Sequence, residues 1–201
     1  MLWEAIILGV IVGWLRKGEI KNLNCIDLTG WPLIMLALFI QGFILFDFNF
    51  QVYYLKPIYP YLYIASFIIL LIFVYLHRTD IGLLVIGAGI LLNLVVIAFN
   101  GGMMPVDSTA IPPDVLEELA AGEKSPFHRP ADDQTLFAFL GDRIPLFYRP
   151  NQLLSIGDLV LGGGVLIFVQ QHMLGKSKLT KEKIGNITTE NGNDQKPGEK
   201  L

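Results

Sequence analysis

The sequence predicts an all-α integral membrane bundle of about five transmembrane helices with a long, partly helical outer loop. Of the 201 residues, 53% are apolar and 16% are charged, and the mean hydropathy is +0.52. Soluble domains carry about 25% charged residues, so the composition favours a chain whose solvent is lipid. The apolar residues also lie in long runs, which is the pattern of helices that cross a bilayer.

Five apolar segments are predicted to span the membrane, and they lie near residues 2–15, 33–48, 60–76, 81–99 and 156–173. A spanning helix needs about 20 apolar residues. The last three segments meet this requirement, the second meets it if its run begins at Trp31, and the first is short. The first segment lacks both a basic amino end and a small-residue cleavage site, which favours a retained helix over a signal peptide.

Basic residues indicate how the chain is oriented. Near the predicted spans they lie in the first and third connections and after the fifth span: Arg16, Lys17, Lys21, Arg78, Lys176, Lys178, Lys181 and Lys183. The loop over residues 101–155 instead holds four basic residues against eight acidic ones. Because basic residues beside spans stay in the cytoplasm, the N-terminus is predicted outside and the C-terminus inside. Residues 1–174 then form the transmembrane domain, and the polar segment 175–201 is predicted to be a disordered cytoplasmic tail.

Polar residues of the spans and the long loop fall on the predicted outer side. An ionisable group at the bilayer centre costs about 2.5–3.5 kcal/mol, so such groups are expected to face protein or water. The sequence therefore predicts an outward-facing polar pocket, roofed by the loop, that binds a small polar solute or a lipid headgroup. The candidate pocket residues are Asn93, Asn100, Asp142, Arg143 and Asp158.

Some of these polar residues also have a structural interpretation. Ser155 and Asp158 have the spacing of a capping box, in which a serine and an acid satisfy the free amides of a helix start. Asn93 could bond across to Gln41, because amides commonly join membrane helices. For each residue taken alone, structure is favoured over function.

The end of the fourth span also carries a structural pattern. Asn100, Gly101 and Gly102 suit a helix C-terminus, where glycine takes the left-handed conformation, and Pro105 prevents the helix from continuing. Within the loop, residues 112–122 predict a short helix, with proline near its start and glycine placed to end it.

Small residues predict helix packing and a second function class. Gly9 and Gly13 form a GxxxG pattern, which lets two helix backbones approach closely. With the lysine-rich tail, this face supports the alternative that the chain is an accessory or assembly membrane protein in a homo- or hetero-oligomer.

Several function classes find no support in the sequence. Cys25 is the one cysteine, so no internal disulfide forms. The three histidines are divided between the two predicted membrane faces, and Met103 and Met104 beside His128 lack the repeated spacing of a copper site. No metal and no cofactor is predicted, and no nucleophile elbow or P-loop is present.

A net charge of −3 argues against nucleic acid as a partner. The lipid bilayer is the expected partner, and binding or assembly is favoured over catalysis.

The segment Asn100-Gly101-Gly102-Met103-Met104-Pro105-Val106 resembles the signature of a family of small bacterial multi-pass membrane proteins classed as a domain of unknown function. Residues 140–145 and 155–158 resemble the later signatures of that family. The likeness extends from the first span through the fifth and leaves the tail outside. It implies a bacterial plasma-membrane location and brings no known activity. It also implies that Asn100, Pro105, Asp142 and Asp158 belong to one structural region, with Gly101, Gly102, Met104 and Ser155 as further motif positions.

Overall fold

The computed structural model describes residues 2–25, 29–52, 54–146, 149 and 152–175. Within these residues the chain forms six α-helices: α1 (Leu2–Leu15), α2 (Trp31–Asn49), α3 (Tyr59–Leu76), α4 (Ile81–Phe99), α5 (Pro113–Ala120) and α6 (Ile156–Met173). All five apolar segments are helical. Apart from its first residue, the predicted tail lies outside the described residues.

The helices confirm the predicted fold class, an all-α membrane bundle. In the described part of the chain, four helices are long and apolar enough to cross a membrane: α2, α3 with the preceding turn from Lys56, α4 and α6. The remaining apolar helix, α1, has 14 residues and is shorter than the usual spanning length of about 20.

The apolar helices pack side by side in the order α2, α3, α4, α6, α1. In the apolar stretch of the central helix α4, 44% of the residues are buried, against 17% in that of the edge helix α2. The described residues between 100 and 155 cover one end of this row, which we call the loop end, and the other end is the opposite end. α1, α3 and α6 run away from the loop end, and α2 and α4 run towards it. The broad apolar flanks suit a lipid environment.

Glycine allows α4 and α6 to approach closely. A Cβ added at Gly82 would lie 2.5 Å from the Phe168 Cα, and one added at Gly164 would lie 2.5 Å from the Ile86 backbone nitrogen. No larger side chain fits at either position. Helices whose backbones approach in this way gain dispersion contacts along the whole interface.

The GxxxG face of α1 packs within the chain. Gly9 and Gly13 are buried against α6, and an added Cβ would lie 3.1 Å from Val169 and 2.5 Å from the Met173 sulfur respectively. This face is therefore occupied by α6.

The loop contains small ordered elements. β1 (Met104–Val106) pairs in parallel with β2 (His128–Pro130), and β3 (Ile144–Pro145) pairs antiparallel with β4 (Leu153–Leu154). The predicted short helix is confirmed as α5, and Gly122 after it has a φ of +71°.

A buried apolar cluster fixes the loop to the bundle. Val96 and Ile97 of α4 pack with Met104 and Leu140 of the loop, and Tyr63 of α3 packs against them. Because the cluster joins helix and loop residues in one core, the loop is held in a defined position over the helix ends.

Candidate functional site

A hydrogen-bond network joins α4 to the start of α6 at the loop end. The Asn93 amide nitrogen donates to the Asp158 carboxylate at 2.9 Å, and the Ser155 hydroxyl donates to the Asn93 oxygen at 2.8 Å. Ser155 is fully buried and Asn93 is 6% exposed. Both polar ends of the Asn93 amide are thus satisfied by α6, which removes the cost of burying it.

The same network confirms the capping box. The Asp158 backbone amide donates to the Ser155 hydroxyl at 2.9 Å, and the Ser155 amide donates to the Asp158 carboxylate at 3.3 Å. The alternative pairing of Asn93 with Gln41 is wrong, because Gln41 donates to the Ser66 hydroxyl of α3 at 2.9 Å. α4 has α6 and α3 as its neighbours, so the asparagine bonds to α6 instead.

Asn100 ends α4 and ties the loop to it. Its amide nitrogen donates to the carbonyls of Val96 and Leu136 at 2.7 and 2.8 Å. Its oxygen accepts from the Leu136 amide at 3.0 Å and from the Arg129 guanidinium at 3.2 Å. All of these partners are protein groups, so the 5% exposed side chain acts as a structural brace.

The glycines after Asn100 confirm the predicted helix C-terminus. Gly101 and Gly102 have φ values of +70° and +78°, and the Gly102 amide donates to the Ile97 carbonyl at 2.9 Å. A Cβ at Gly102 would also lie 2.3 Å from the Pro60 Cβ of α3. Glycine is required there by both conformation and space.

β1 places Asp142 at the loop end. The Asp142 amide donates to the carbonyl of the fully buried Pro105 at 2.9 Å, and the Asp142 carbonyl accepts from the Asp107 amide at 2.8 Å. Met104, one residue before Pro105, is 4% exposed and anchors β1 in the core. The predicted motif residues therefore position the aspartate.

A cavity of about 580 Å³ opens at the loop end between α1, α5, the loop and the start of α6. Its apolar wall includes residues from three elements: Leu2 and Trp3 of α1, Val115 and Leu119 of α5, and Leu153 and Leu154 of β4. Its polar lining is Lys124, Ser125, His128, Asp142, Gln152 and Asp158. A mostly apolar cleft with a few convergent polar groups is the usual form of a ligand site.

Three of the polar lining residues form a chain of contacts. The Ser125 hydroxyl lies 2.7 Å from the His128 Nδ1 atom, and the His128 Nε2 atom lies 3.4 Å from an Asp142 carboxylate oxygen. The Asp142 side chain is 10% exposed and the His128 side chain is 36% exposed. The acid is thus buried behind the imidazole.

Burial raises the pKa of Asp142 above its ordinary value, and the charge of Asp158 raises it further. The hydrogen bond from His128 and the charge of that residue act in the opposite direction. A second carboxylate in the same apolar cleft disfavours the ionised form of Asp142, and the imidazole contact opposes this effect.

The predicted pocket residues separate into two groups. Asp142 and Asp158 line the cavity, and Asn93 lies behind Asp158 in the capping network. Asn100 and Arg143 are not among the lining residues, and the exposed Arg143 instead lies 3.7 Å from the Asp107 carboxylate.

Sequence reasoning missed the Ser125–His128 contact. The two residues are three apart in the chain, and Asp142 follows 14 positions later in a segment that is brought near through β1. No local motif marks this set. Among the described residues, no group of three or more His, Cys, Asp or Glu could hold a metal ion.

Together the fold and the loop define a multi-helix membrane protein with an ordered cap and a cleft at one end. A family model described as a family of unknown function (DUF5317) matches residues 25–170, so the chain belongs to that family. The matched region includes Asn93 to Asp158 and begins after α1. Neither a curated protein nor a solved structure matches the chain.

Proposed function

We propose that this membrane protein binds a small polar solute or a lipid headgroup in the cavity at the loop end. The observation that supports this proposal is the cleft of about 580 Å³ with Asp142 and Asp158 in its polar lining. Its volume is in the range of small-molecule sites, about 300–1,000 Å³. The two carboxylates favour a ligand group that donates hydrogen bonds or carries positive charge.

The position of Trp3 favours a lipid headgroup within this ligand class. Trp3 lies in the first turn of α1, is 74% exposed and lines the cavity. Tryptophan is enriched at membrane interfaces, where its ring lies at headgroup level. A cleft at that depth receives a headgroup at its polar side, and Leu2 forms part of its apolar wall.

A bacterial plasma-membrane location, with the N-terminus and the loop end outside and the C-terminus in the cytoplasm, is part of the proposal. The orientation rests on the distribution of basic residues, and the bacterial plasma-membrane location rests on the resemblance of residues 100–106 to the family signature. The test replaces Cys25 by alanine and adds one cysteine, either Thr109→Cys at the loop end or Thr79→Cys at the opposite end, both exposed positions. An impermeant maleimide added to intact cells should label the Thr109→Cys protein alone. Labelling of the Thr79→Cys protein alone would invert the orientation.

Ligand binding is tested through the fluorescence of Trp3. The chain has three tryptophans, so Trp14→Phe and Trp31→Phe leave Trp3 as the single emitter. Titration of the detergent-solubilised full chain with short-chain phosphatidylethanolamine should change the Trp3 emission in a saturable way, whereas short-chain phosphatidylglycerol, which lacks the ammonium, should bind more weakly.

A matched pair of α5 variants controls for the cavity. Val115→Phe fills the cleft and should abolish the saturable change, whereas Glu117→Phe on the exposed side of α5 should leave it intact. Equal binding by both variants, or no saturable change in the parent protein, would contradict the proposal.

An accessory role in a homo- or hetero-oligomer is the other candidate function, and no contact among the described residues favours it. Gly9 and Gly13, which together with the lysine-rich tail prompted the idea, pack against α6 of the same chain. An oligomer formed through another face stays a prediction.

A further inference from the structure

We propose that the cavity holds an esterase centre in which Ser125 is the nucleophile, His128 the general base and Asp142 the residue that positions the base. The substrate class is a carboxylic ester of an amphiphilic molecule. This inference deepens the proposed function and rests on it, because the same cavity must first bind the amphiphile.

One neutral form of His128 satisfies both of its contacts. With its proton on Nε2, the imidazole turns that N–H towards the Asp142 carboxylate oxygen 3.4 Å away, and the lone pair on Nδ1 is free to accept the Ser125 hydroxyl proton at 2.7 Å. This is the arrangement that a serine nucleophile needs: a base within hydrogen-bond reach and a buried acid that holds the base in the correct tautomer.

The serine and the histidine are held rigidly. The Phe127 amide between them donates to the Ser125 oxygen at 3.2 Å, and the Phe127 carbonyl accepts from the Met104 amide at 2.7 Å. The Phe127 ring stacks on Tyr63 of α3, with their centroids 4.3 Å apart. A nucleophile fixed to the bundle in this way is preorganised for reaction.

The surroundings of Ser125 fit an ester with an apolar chain. Val115, Leu119 and Leu153 line the same cavity and provide an apolar wall for an acyl group. Lys124, next to the serine in the chain, also lines the cavity, and its ammonium donates to the Glu118 carboxylate at 2.7 Å.

The reaction balances without a metal or an external redox partner. The Ser125 oxygen attacks the ester carbonyl carbon as His128 Nδ1 takes the hydroxyl proton. The carbon–oxygen bond of the ester then breaks, and the leaving alcohol takes that proton from His128. A water molecule, deprotonated by His128, attacks the acyl-serine, so that a carboxylic acid leaves and the serine is regenerated.

The test treats the full chain in detergent micelles with an alkyl fluorophosphonate. The Ser125 oxygen–phosphorus bond forms as the phosphorus–fluorine bond breaks, and fluoride leaves. Peptide mass spectrometry should place the adduct on Ser125. Ser125→Ala should abolish it, whereas Ser108→Ala, a loop serine that bonds the Ala131 carbonyl, should react at the parental rate. His128→Gln should slow the reaction about 100-fold or more. An adduct on another residue, or none on the parent protein, would overturn the esterase centre.

Asp142 is tested as a positioning residue with a short-chain p-nitrophenyl ester. Asp142→Asn should lower kcat about tenfold or more while KM changes little, which a general loss of folding would not produce. An unchanged kcat would overturn the role of Asp142.

Trp3 titration, run on the parent protein and on Ser125→Ala, separates the esterase from the binding site. If both proteins bind phosphatidylethanolamine but the parent protein forms no fluorophosphonate adduct, the esterase is rejected and the binding site is kept. If the parent protein does not bind phosphatidylethanolamine, both proposals are rejected.

Discussion

The two ends of the bundle each contain a histidine–aspartate contact, and the two contacts differ in their third partner. At the loop end, His128 Nε2 lies 3.4 Å from Asp142, and at the opposite end His172 Nε2 lies 3.5 Å from Asp80. The other nitrogen of His128 meets the Ser125 hydroxyl at 2.7 Å, whereas that of His172 meets the Phe168 carbonyl at 2.9 Å.

A histidine–aspartate pair alone does not make a reactive site. A carbonyl only accepts, so Nδ1 of His172 must be a donor and cannot serve as a base. The His172 side chain is also 7% exposed, against 36% for His128 beside the cavity. At the opposite end, the contact between His172 and Asp80 therefore joins α6 to the start of α4. At the loop end, His128 remains a free base beside the Ser125 hydroxyl and the open cavity.

The largest expected effect is on the rate of fluorophosphonate labelling, which replacement of His128 should lower far more than replacement of His172. His128→Gln should slow fluorophosphonate labelling about 100-fold or more because the base is lost. His172→Gln should leave the labelling rate within about twofold and lower thermal stability, since removing a buried partner costs about 1–3 kcal/mol. Labelling rates and melting curves of both variants check this. Equal loss of labelling in the two variants would mean that His128 has no special role at the loop end.

The next effect concerns the network that supports the loop end. A Cβ at Gly157 would lie 2.0 Å from the Asn93 side-chain oxygen, whereas one at Gly163 meets nothing within 4 Å. Gly157→Ala should lower stability by about 1–3 kcal/mol through overpacking. Gly163→Ala, the matched change in the same helix, should be neutral or raise stability by a few tenths of a kcal/mol up to about 1, because alanine favours helix. Similar melting temperatures for both variants would mean that the Asn93 contact is not tightly packed.

A smaller effect links stability to pH at Asp142. Burial raises the pKa of Asp142 above its ordinary value of 3.8. An acid with a raised pKa in the folded state favours folding less as it ionises, so stability falls as the pH rises from 3.8 through the folded pKa.

Asp142→Asn lacks this ionisation. Its melting temperature at pH 7 should equal or exceed that of the parent protein, and the two proteins should differ least near pH 3. Asp133→Asn, an exposed change in the same loop, is the control. A clearly lower melting temperature of Asp142→Asn at pH 7 would show that the ionised carboxylate stabilises the loop instead.

The smallest effect is expected at Arg143. Hydrogen bonds from Thr109 are the main cause of the lowered pKa of Asp107, and the charge of Arg143 is a lesser one. The pair is 3.7 Å apart and the Arg143 side chain is 49% exposed. Arg143→Gln should therefore change stability by about 0–1 kcal/mol and leave labelling unchanged. A large loss of labelling would return Arg143 to the site.

Local patterns made much of the fold predictable. The apolar runs, the Ser155–Asp158 capping box and the glycines after Asn100 depend on neighbours in the sequence, and the structure bears out these features. The helix over Pro113–Ala120 was predictable for the same reason, since its proline start and glycine end are local signals.

The site depended on contacts that no local pattern carries. Asp142 was predicted for the pocket because its loop was predicted on the outer side. Its partner His128 is brought beside it by the pairing of β1 with β2, which is only three residues long. Arg143, its neighbour in the chain, was predicted for the pocket and lies outside the lining because consecutive residues of an extended segment face opposite ways. The alternative that paired Asn93 with Gln41 was wrong because the order of the helices is a tertiary property.

The most direct test of the difference between the two ends is the reactivity of the histidines within one molecule. The full chain in detergent micelles is treated with diethyl pyrocarbonate, and modification of His128 and His172 is followed by peptide mass spectrometry. His128 should be modified rapidly and be protected by short-chain phosphatidylethanolamine, while His172 should stay unmodified in the folded protein. Equal modification of both residues, or an unreactive His128, would contradict an open, ligand-binding loop end.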